Sequence, residues 1–237
     1  MARVSPYFVA ITALFITTLL VSNIIAVKLA SLAGVVIFAA IVVFPISYIC
    51  GDVLTEVYGY RRARRVIWLG FGCNLIAVFF IWLGQVIPPA SFWEGQGAYE
   101  QILGSTPRIL AASFLAYLVG EFANSFVLAK MKIATQGRWL WSRTIGSTLI
   151  GEGLDTVVFS TLALAGTVPF SVLGPLMLTQ WVGKCGYEAL ATPLTYRVVN
   201  FLKRKEGLDV YDRDTNFNPL LLAEEMGGDP GPGRPRG

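Results

Sequence analysis

The chain has 237 residues, 54% of them hydrophobic and 14% charged, with a mean hydropathy of +0.60 and a formal net charge of +4 at pH 7. About a quarter of the residues of a soluble domain are charged, so this composition excludes an ordinary soluble fold and describes a chain built for lipid. Its basic balance is therefore read as topology signals and headgroup contacts rather than as nucleic-acid binding. The sequence contains no histidine, which excludes His-based triads, His metal sites and the usual physiological-pH switch. Cys50, Cys73 and Cys185 lack any ligand spacing and read as buried thiols, and there is no GxxxxGK[ST] phosphate loop. Neither a metal nor a cofactor is expected, and the chain is not expected to be an enzyme.

Taken in order, six segments are long and apolar enough to span a hydrocarbon core, which takes about 20 helical residues. They lie near 6–27, 34–55, 66–87, 108–130, 144–166 and 174–200. The expected fold is an all-α integral membrane protein, a bundle of six transmembrane helices. The first apolar run, Tyr7 to Ala26, exceeds a signal-peptide core and lacks a clean A-x-A cleavage site, so it is kept as a span.

Between the second and third segments, Arg61, Arg62, Arg64 and Arg65 mark a cytoplasmic loop, since Lys and Arg resist translocation. Arg3, Lys130, Lys132, Arg138, Arg143, Arg197, Lys203, Arg204 and Lys205 then fall on the same side, and only Lys28 and Arg108 face outward, with both termini cytoplasmic. Residues 88–107 form one long outer loop, suited to a re-entrant or lid segment. Residues 1–205 are expected to be the membrane domain, and 206–237 a cytoplasmic tail expected to be disordered towards Gly228–Gly237.

Chemistry concentrates in the last three segments. Ala112, Ala116, Gly120 and Asn124 recur every four residues and read as a packing stripe, with Glu121, Asn124 and Ser125 beside it at i, i+3 and i+4. The fifth segment carries Gly151-Glu152-Gly153-Leu154-Asp155, and the sixth carries Lys184 and Glu188 one turn apart. Four carboxylates against one lysine is more than pairing requires. A charge at the centre of a spanning helix costs roughly 2.5–3.5 kcal/mol even on insertion scales. Glu121, Asn124, Glu152, Asp155, Lys184 and Glu188, joined by Asn23 and Lys28 near the end of the first segment, are therefore the expected substrate-binding set. A structural ion-pair network is the simpler alternative. Asp52 and Glu56 sit one turn apart before the arginines, as either salt-bridge partners of that cluster or an inner gate.

Together, Ser22-Asn23-Ile24-Ile25-Ala26-Val27-Lys28-Leu29, then Phe44-Pro45 with Gly51-Asp52-Val53-Leu54-Thr55-Glu56-Val57-Tyr58-Gly59, and Ala63-Arg64-Arg65 form an ordered set of motifs. With the motifs of the fourth and fifth segments and Lys205-Glu206-Gly207-Leu208-Asp209-Val210-Tyr211-Asp212, the chain resembles the queuosine precursor transporter family, also called the vitamin uptake transporter family. The likeness runs to about Pro219. It implies six spans in a bacterial or archaeal inner membrane and import of 7-cyano- or 7-aminomethyl-7-deazaguanine for tRNA modification, with Asn23, Lys28, Asp52, Glu56, Glu121, Asn124, Glu152 and Asp155 as the matching positions. The partners implied are the 7-deazaguanine and membrane lipid, without nucleic acid, and self-association stays open.

The family is also similar to the membrane substrate-binding subunits of energy-coupling-factor importers, which would supply an alternative function for another vitamin or heterocycle. Here the first segment has Ala10 and Ala13 but no A-x-x-x-A ladder, which argues against that docking. An intramembrane aspartyl protease is a more distant alternative, since neither Asp52 nor Asp155 stands in a G-x-G-D motif.

Overall fold

The computed structural model describes residues 5–32, 35–104, 107–164, 166 and 169–221. Arg3, Arg234, Arg236 and the Gly228–Gly237 stretch lie outside the described residues. Among the described residues, seven α-helices follow one another: α1 (Pro6–Ile25), α2 (Phe44–Tyr58), α3 (Tyr60–Val86), α4 (Gln96–Leu103), α5 (Pro107–Ala134), α6 (Leu140–Leu164) and α7 (Phe170–Glu206). Among the described residues, three stretches are long and apolar enough to cross a membrane by length and composition: Pro6–Ile25, Tyr60–Val86 and Gln96–Ala134.

The second expected helix begins later than its hydropathy suggests. Residues 34–55 were expected to form one span, but β1 (Leu29–Leu32) and β2 (Val35–Phe38) form an antiparallel hairpin, with Leu29 paired to Phe38 and Leu32 to Val35. A 3-10 turn, Ala39–Val42, follows, and α2 starts at Phe44 with Pro45 in its first turn. The β-branched Val35-Val36-Ile37 favours extended backbone, whereas Pro45 is at home where a helix begins. An apolar run alone does not distinguish the two.

α2 is short but central. Every residue from Ile49 to Tyr60 is buried, because α1, α3, α5 and α7 all pack around it. Phe15 of α1, Val53 and Leu54 of α2, and Ala63, Val66 and Ile67 of α3 form the apolar centre. The outer surface is just as apolar: Phe80 is 62% exposed and Leu190 81%. With lipid as apolar as the core, close packing and internal polar contacts, rather than the hydrophobic effect, must hold the helices together.

Such packing is closest between α5 and α6. A Cβ added at Gly151 would lie 2.7 Å from Asn124 Cβ and 2.9 Å from the Gly120 carbonyl oxygen, so only glycine admits this crossing. Ala112 and Ala116, on the same stripe as Gly120, are each 1% exposed.

The arginine cluster lies within the first turns of α3 rather than in a loop. α2 and α3 are separated by one residue, Gly59, whose φ of +83° is open to glycine and strained for other residues. Residues 207–221 return across this basic end as an ordered strap. Val210 donates its N–H to the Val57 carbonyl, and Asp212 Oδ2 accepts the N–H of Tyr60 at 2.9 Å, capping α3. Arg64, expected in a headgroup-facing loop, is 1% exposed and donates to the carbonyls of Asn216 and Asn218. Trp68 Nε1 reaches the Pro219 carbonyl. Glu206 accepts from Tyr58 at 2.9 Å and also from Ser5, joining the start of α1 to the end of α7. At the opposite end, α4 is tied to α3 through Tyr99, which donates to the Ile81 carbonyl.

Candidate functional site

Five helices enclose a cavity of about 270 Å³. α1 contributes Leu19, Ser22 and Asn23; α2 contributes Ser47 and Tyr48; α5 contributes Ala116, Tyr117 and Glu121. α6 adds Glu152, Asp155, Thr156 and Phe159, and α7 adds Gln180 and Lys184. That volume is close to the lower end of ordinary ligand pockets, the range of a single small ring system. A more open groove of about 410 Å³, lined by Tyr196, Arg197, Asn200, Phe201, Arg204 and Lys205, lies near the end of α7 and contains no acid.

Lys184 organises the charges. Its Nζ donates to Asp155 Oδ2 at 2.6 Å and stands 2.7 Å from Glu152 Oε2, the latter a charge contact off the line of a hydrogen bond. Glu152 and Asp155 project together because they lie three residues apart on α6. Glu121 reaches the same space from α5 without an ion-pair partner among the described residues. Asn23 donates to Asn74 Oδ1 at 3.1 Å, and the Tyr117 hydroxyl donates to the Ile67 carbonyl at 3.0 Å. The wall therefore holds three carboxylates, one lysine, amide and hydroxyl groups, and three aromatic rings.

Not every expected residue reaches this wall. Lys28 is exposed in the connection after α1. Asn124 and Glu188 are not part of the lining; Asn124 Nδ2 instead donates to Asp52 Oδ1 at 3.2 Å, and Glu188 is fully buried. Glu188 lies one turn from Lys184 towards the basic end. Conversely, the lining residues Tyr48, Tyr117, Phe159 and Gln180 were missed, as was Asn74, which holds Asn23. Tyr48 and Gln180 left a signal, as polar-tipped residues in apolar runs; the aromatic lining did not, since such residues are common on any membrane helix.

A second charged group lies at the basic end. Glu56, 0% exposed, takes Arg143 Nη2 at 2.8 Å and Nε at 3.3 Å, and Lys203 Nζ at 2.7 Å. Lys132 donates to the Glu56 carbonyl and to Asp209 Oδ1, both at 2.5 Å, and Asp209 also pairs with Lys203 at 2.8 Å. This corrects the expected pairing of Asp52 and Glu56 with Arg61–Arg65: Glu56 pairs with cations from α5, α6 and α7, and Asp52 with an amide. Burial works against the Asp209 carboxylate, but its hydrogen bonds to Lys132 and Lys203 outweigh it and hold the group below the usual carboxylate range. Among the described residues, no group of three His, Cys, Asp or Glu side chains is placed to hold a metal ion.

Residues 38–198, which include α2 to α6 and most of α7, match the family model "Putative vitamin uptake transporter". The chain is 29% identical over 187 residues to the "Probable queuosine precursor transporter" of Bacillus subtilis (strain 168), covering 78% of this chain and 81% of that protein. It is 28% identical over 120 residues to the "Queuosine precursor transporter" of Escherichia coli (strain K12), and 25% identical over 138 residues to a "Probable queuosine precursor transporter" of Haemophilus influenzae (strain ATCC 51907 / DSM 11121 / KW20 / Rd). In these two cases the match spans 52% and 54% of the relative's length. No solved structure matches the chain. The matched interval holds every charged residue of the cavity, and the chain belongs to the vitamin uptake transporter family, as a multi-pass helical membrane protein.

Proposed function

We propose that this protein imports 7-deazaguanine precursors of queuosine, the 7-cyano or 7-aminomethyl form, across the inner membrane of a bacterium or archaeon. Six spans with both termini cytoplasmic fit the distribution of Lys and Arg, and in this reading the basic end with its strap faces the cytoplasm. Residues 1–205 form the membrane domain, and the tail from 206 begins as that strap.

The observation that carries the proposal is the asymmetry of the cavity charges. Lys184 is held by Glu152 and Asp155, whereas Glu121 is left to accept. A guanine-like ring presents N1–H and a 2-amino group side by side, and one carboxylate accepts both in a bidentate pair. Glu121 takes that edge, Lys184 donates to the ring carbonyl, and Tyr48, Tyr117 or Phe159 stacks on the base. The remaining negative charge near Glu152 and Asp155 suits an aminomethyl ammonium. Asn23, at the rim from α1, contributes an amide oxygen.

The test is rescue of tRNA queuosine in a bacterial strain unable to make the precursors, fed each 7-deazaguanine at low concentration. Restored queuosine is expected with the wild-type protein and lost uptake with Glu152→Gln and with Asp155→Asn, both still inserted in the membrane. No rescue by a well-expressed wild-type protein overturns the substrate, and full rescue by both variants returns those carboxylates to a packing role.

A further inference from the structure

Between the cavity and the Glu56 cluster lies a set of polar atoms that neither region uses. Asp52 is 1% exposed and Glu188 0%. Asp52 Oδ2, both carboxylate oxygens of Glu188 and Asn124 Oδ1 are buried without a hydrogen-bond partner. The one donor supplied to the group, Asn124 Nδ2, is already given to Asp52 Oδ1 at 3.2 Å. Four acceptors thus stand without hydrogens.

Among the described residues, no neighbouring element supplies a cation. From α5 come Asn124 and Glu121, from α6 Glu152, from α7 Cys185, and on α2 itself Glu56; the groups that act electrostatically on Asp52 and Glu188 are carboxylates. α1 has no ionisable side chain beyond Tyr7 near its start, and α3 meets the middle of α2 with Ala63, Val66 and Ile67. Lys184, one turn along α7, is held by Asp155 and Glu152, while Lys132, Arg143 and Lys203 are held by Glu56 and Asp209. Two ionised carboxylates in such surroundings would each cost several kcal/mol. What the group lacks is hydrogen: a proton bound at Glu188 forms one O–H bond, removes one charge and turns one orphan acceptor into a donor for the others. Nothing is oxidised or reduced.

We propose that Asp52 and Glu188 form a proton-binding site between the cavity and the basic cluster, and that its loading and unloading couple substrate import to protons. The coupling half rests on the transport reading above; the proton site does not. Its position fits the role, with Glu188 four residues from Lys184 in the cavity and Asp52 four residues from Glu56 in the basic cluster. A proton held here communicates with both ends of the bundle through one turn of helix on each side.

Two measurements test it on the purified full-length protein. Infrared difference spectroscopy across a pH step, without substrate, should show a protonated-carboxyl C=O band that is lost in Glu188→Gln and altered in Asp52→Asn. Absence of any such band in the wild type, or its persistence in both variants, overturns the site. In proteoliposomes, tritiated 7-cyano-7-deazaguanine should accumulate severalfold when the outside is made acid, and a protonophore should abolish this. Glu188→Gln should lose accumulation but keep counterflow exchange, since Glu188 does not line the cavity. Accumulation that ignores the pH gradient, or follows a sodium gradient instead, overturns the coupling. Failure of all exchange with the infrared band intact removes the substrate assignment and leaves the proton site standing.

Discussion

The cavity and the Glu56 cluster use the same kinds of side chain to opposite ends. At the basic end, Lys132, Arg143 and Lys203 meet Glu56 and Asp209 with contacts of 2.5–2.8 Å, and spare donors go to backbone carbonyls. In the cavity, one lysine meets two of three carboxylates, and the third is left open to the enclosed space. A satisfied network stabilises one arrangement, since removing any partner strands a buried charge. An incompletely satisfied one keeps capacity for a ligand. The distinction lies in the accounting of donors and acceptors rather than in the residue types.

The largest expected effect comes from breaking the satisfied side. Glu56→Gln leaves buried Arg143 without a carboxylate, weakens the hold on Lys203, and should cost about 3–5 kcal/mol, seen as a sharp loss of folded protein in membranes and a lowered melting temperature. Normal yield and unchanged melting would mean the cluster is dispensable. In the cavity the same chemical change should act the other way. Glu121→Gln should leave melting nearly unchanged and weaken ligand binding by about 10–100-fold, the equivalent of one charge-assisted hydrogen bond pair; binding of 7-cyano-7-deazaguanine by calorimetry decides it. A large fall in stability with intact binding would erase the contrast.

The smallest effect concerns Asp209, whose side chain is 43% exposed, so its pairing is worth under about 1 kcal/mol. Its folded-state carboxyl titrates below the ordinary value near 3.9. Its contribution is therefore present above that ordinary value and lost as the pH falls through the lower, folded one. Hydrogen exchange of residues 207–221, corrected for intrinsic rates, should be alike at pH 7 and 5 and quicken only below about pH 4. Asp209→Asn should quicken it at pH 7 and 5 and differ little from wild type once the carboxyl is protonated, and an early loss near pH 5 would contradict the assignment.

Helix periodicity and charge placement made much of this legible. Glu152, Asp155 and Lys184 stood out by their positions in apolar runs, and the two carboxylates do converge on the lysine. Small-residue spacing announced the tight face of α5. The hairpin at 29–38 was hidden because a short β-branched run has no period to separate it from helix. The partners of Glu56 were hidden because they lie 76 to 147 residues away in sequence, beyond any local pattern. The strap was hidden for a subtler reason. Its polar composition is what a disordered tail would show, and its order comes from backbone groups and from Asp209, Asp212 and Phe217 docking onto α2, α3 and α5.

Gly59 carries a consequence for the order of events during synthesis. The reversal between α2 and α3 is held by Val210, whose side chain would sit 2.7 Å from a Cβ at Gly59, and by Asp212 on the Tyr60 N–H. Both holdfasts emerge from the ribosome about 150 residues after the turn they secure. Until then the bend depends on glycine's own freedom, and Arg64 remains without the carbonyls that later receive it. Closing the basic end is a late, long-range step of the kind that sets folding rates, so a chain stopped before residue 209 should insert its helices yet fail to fasten them.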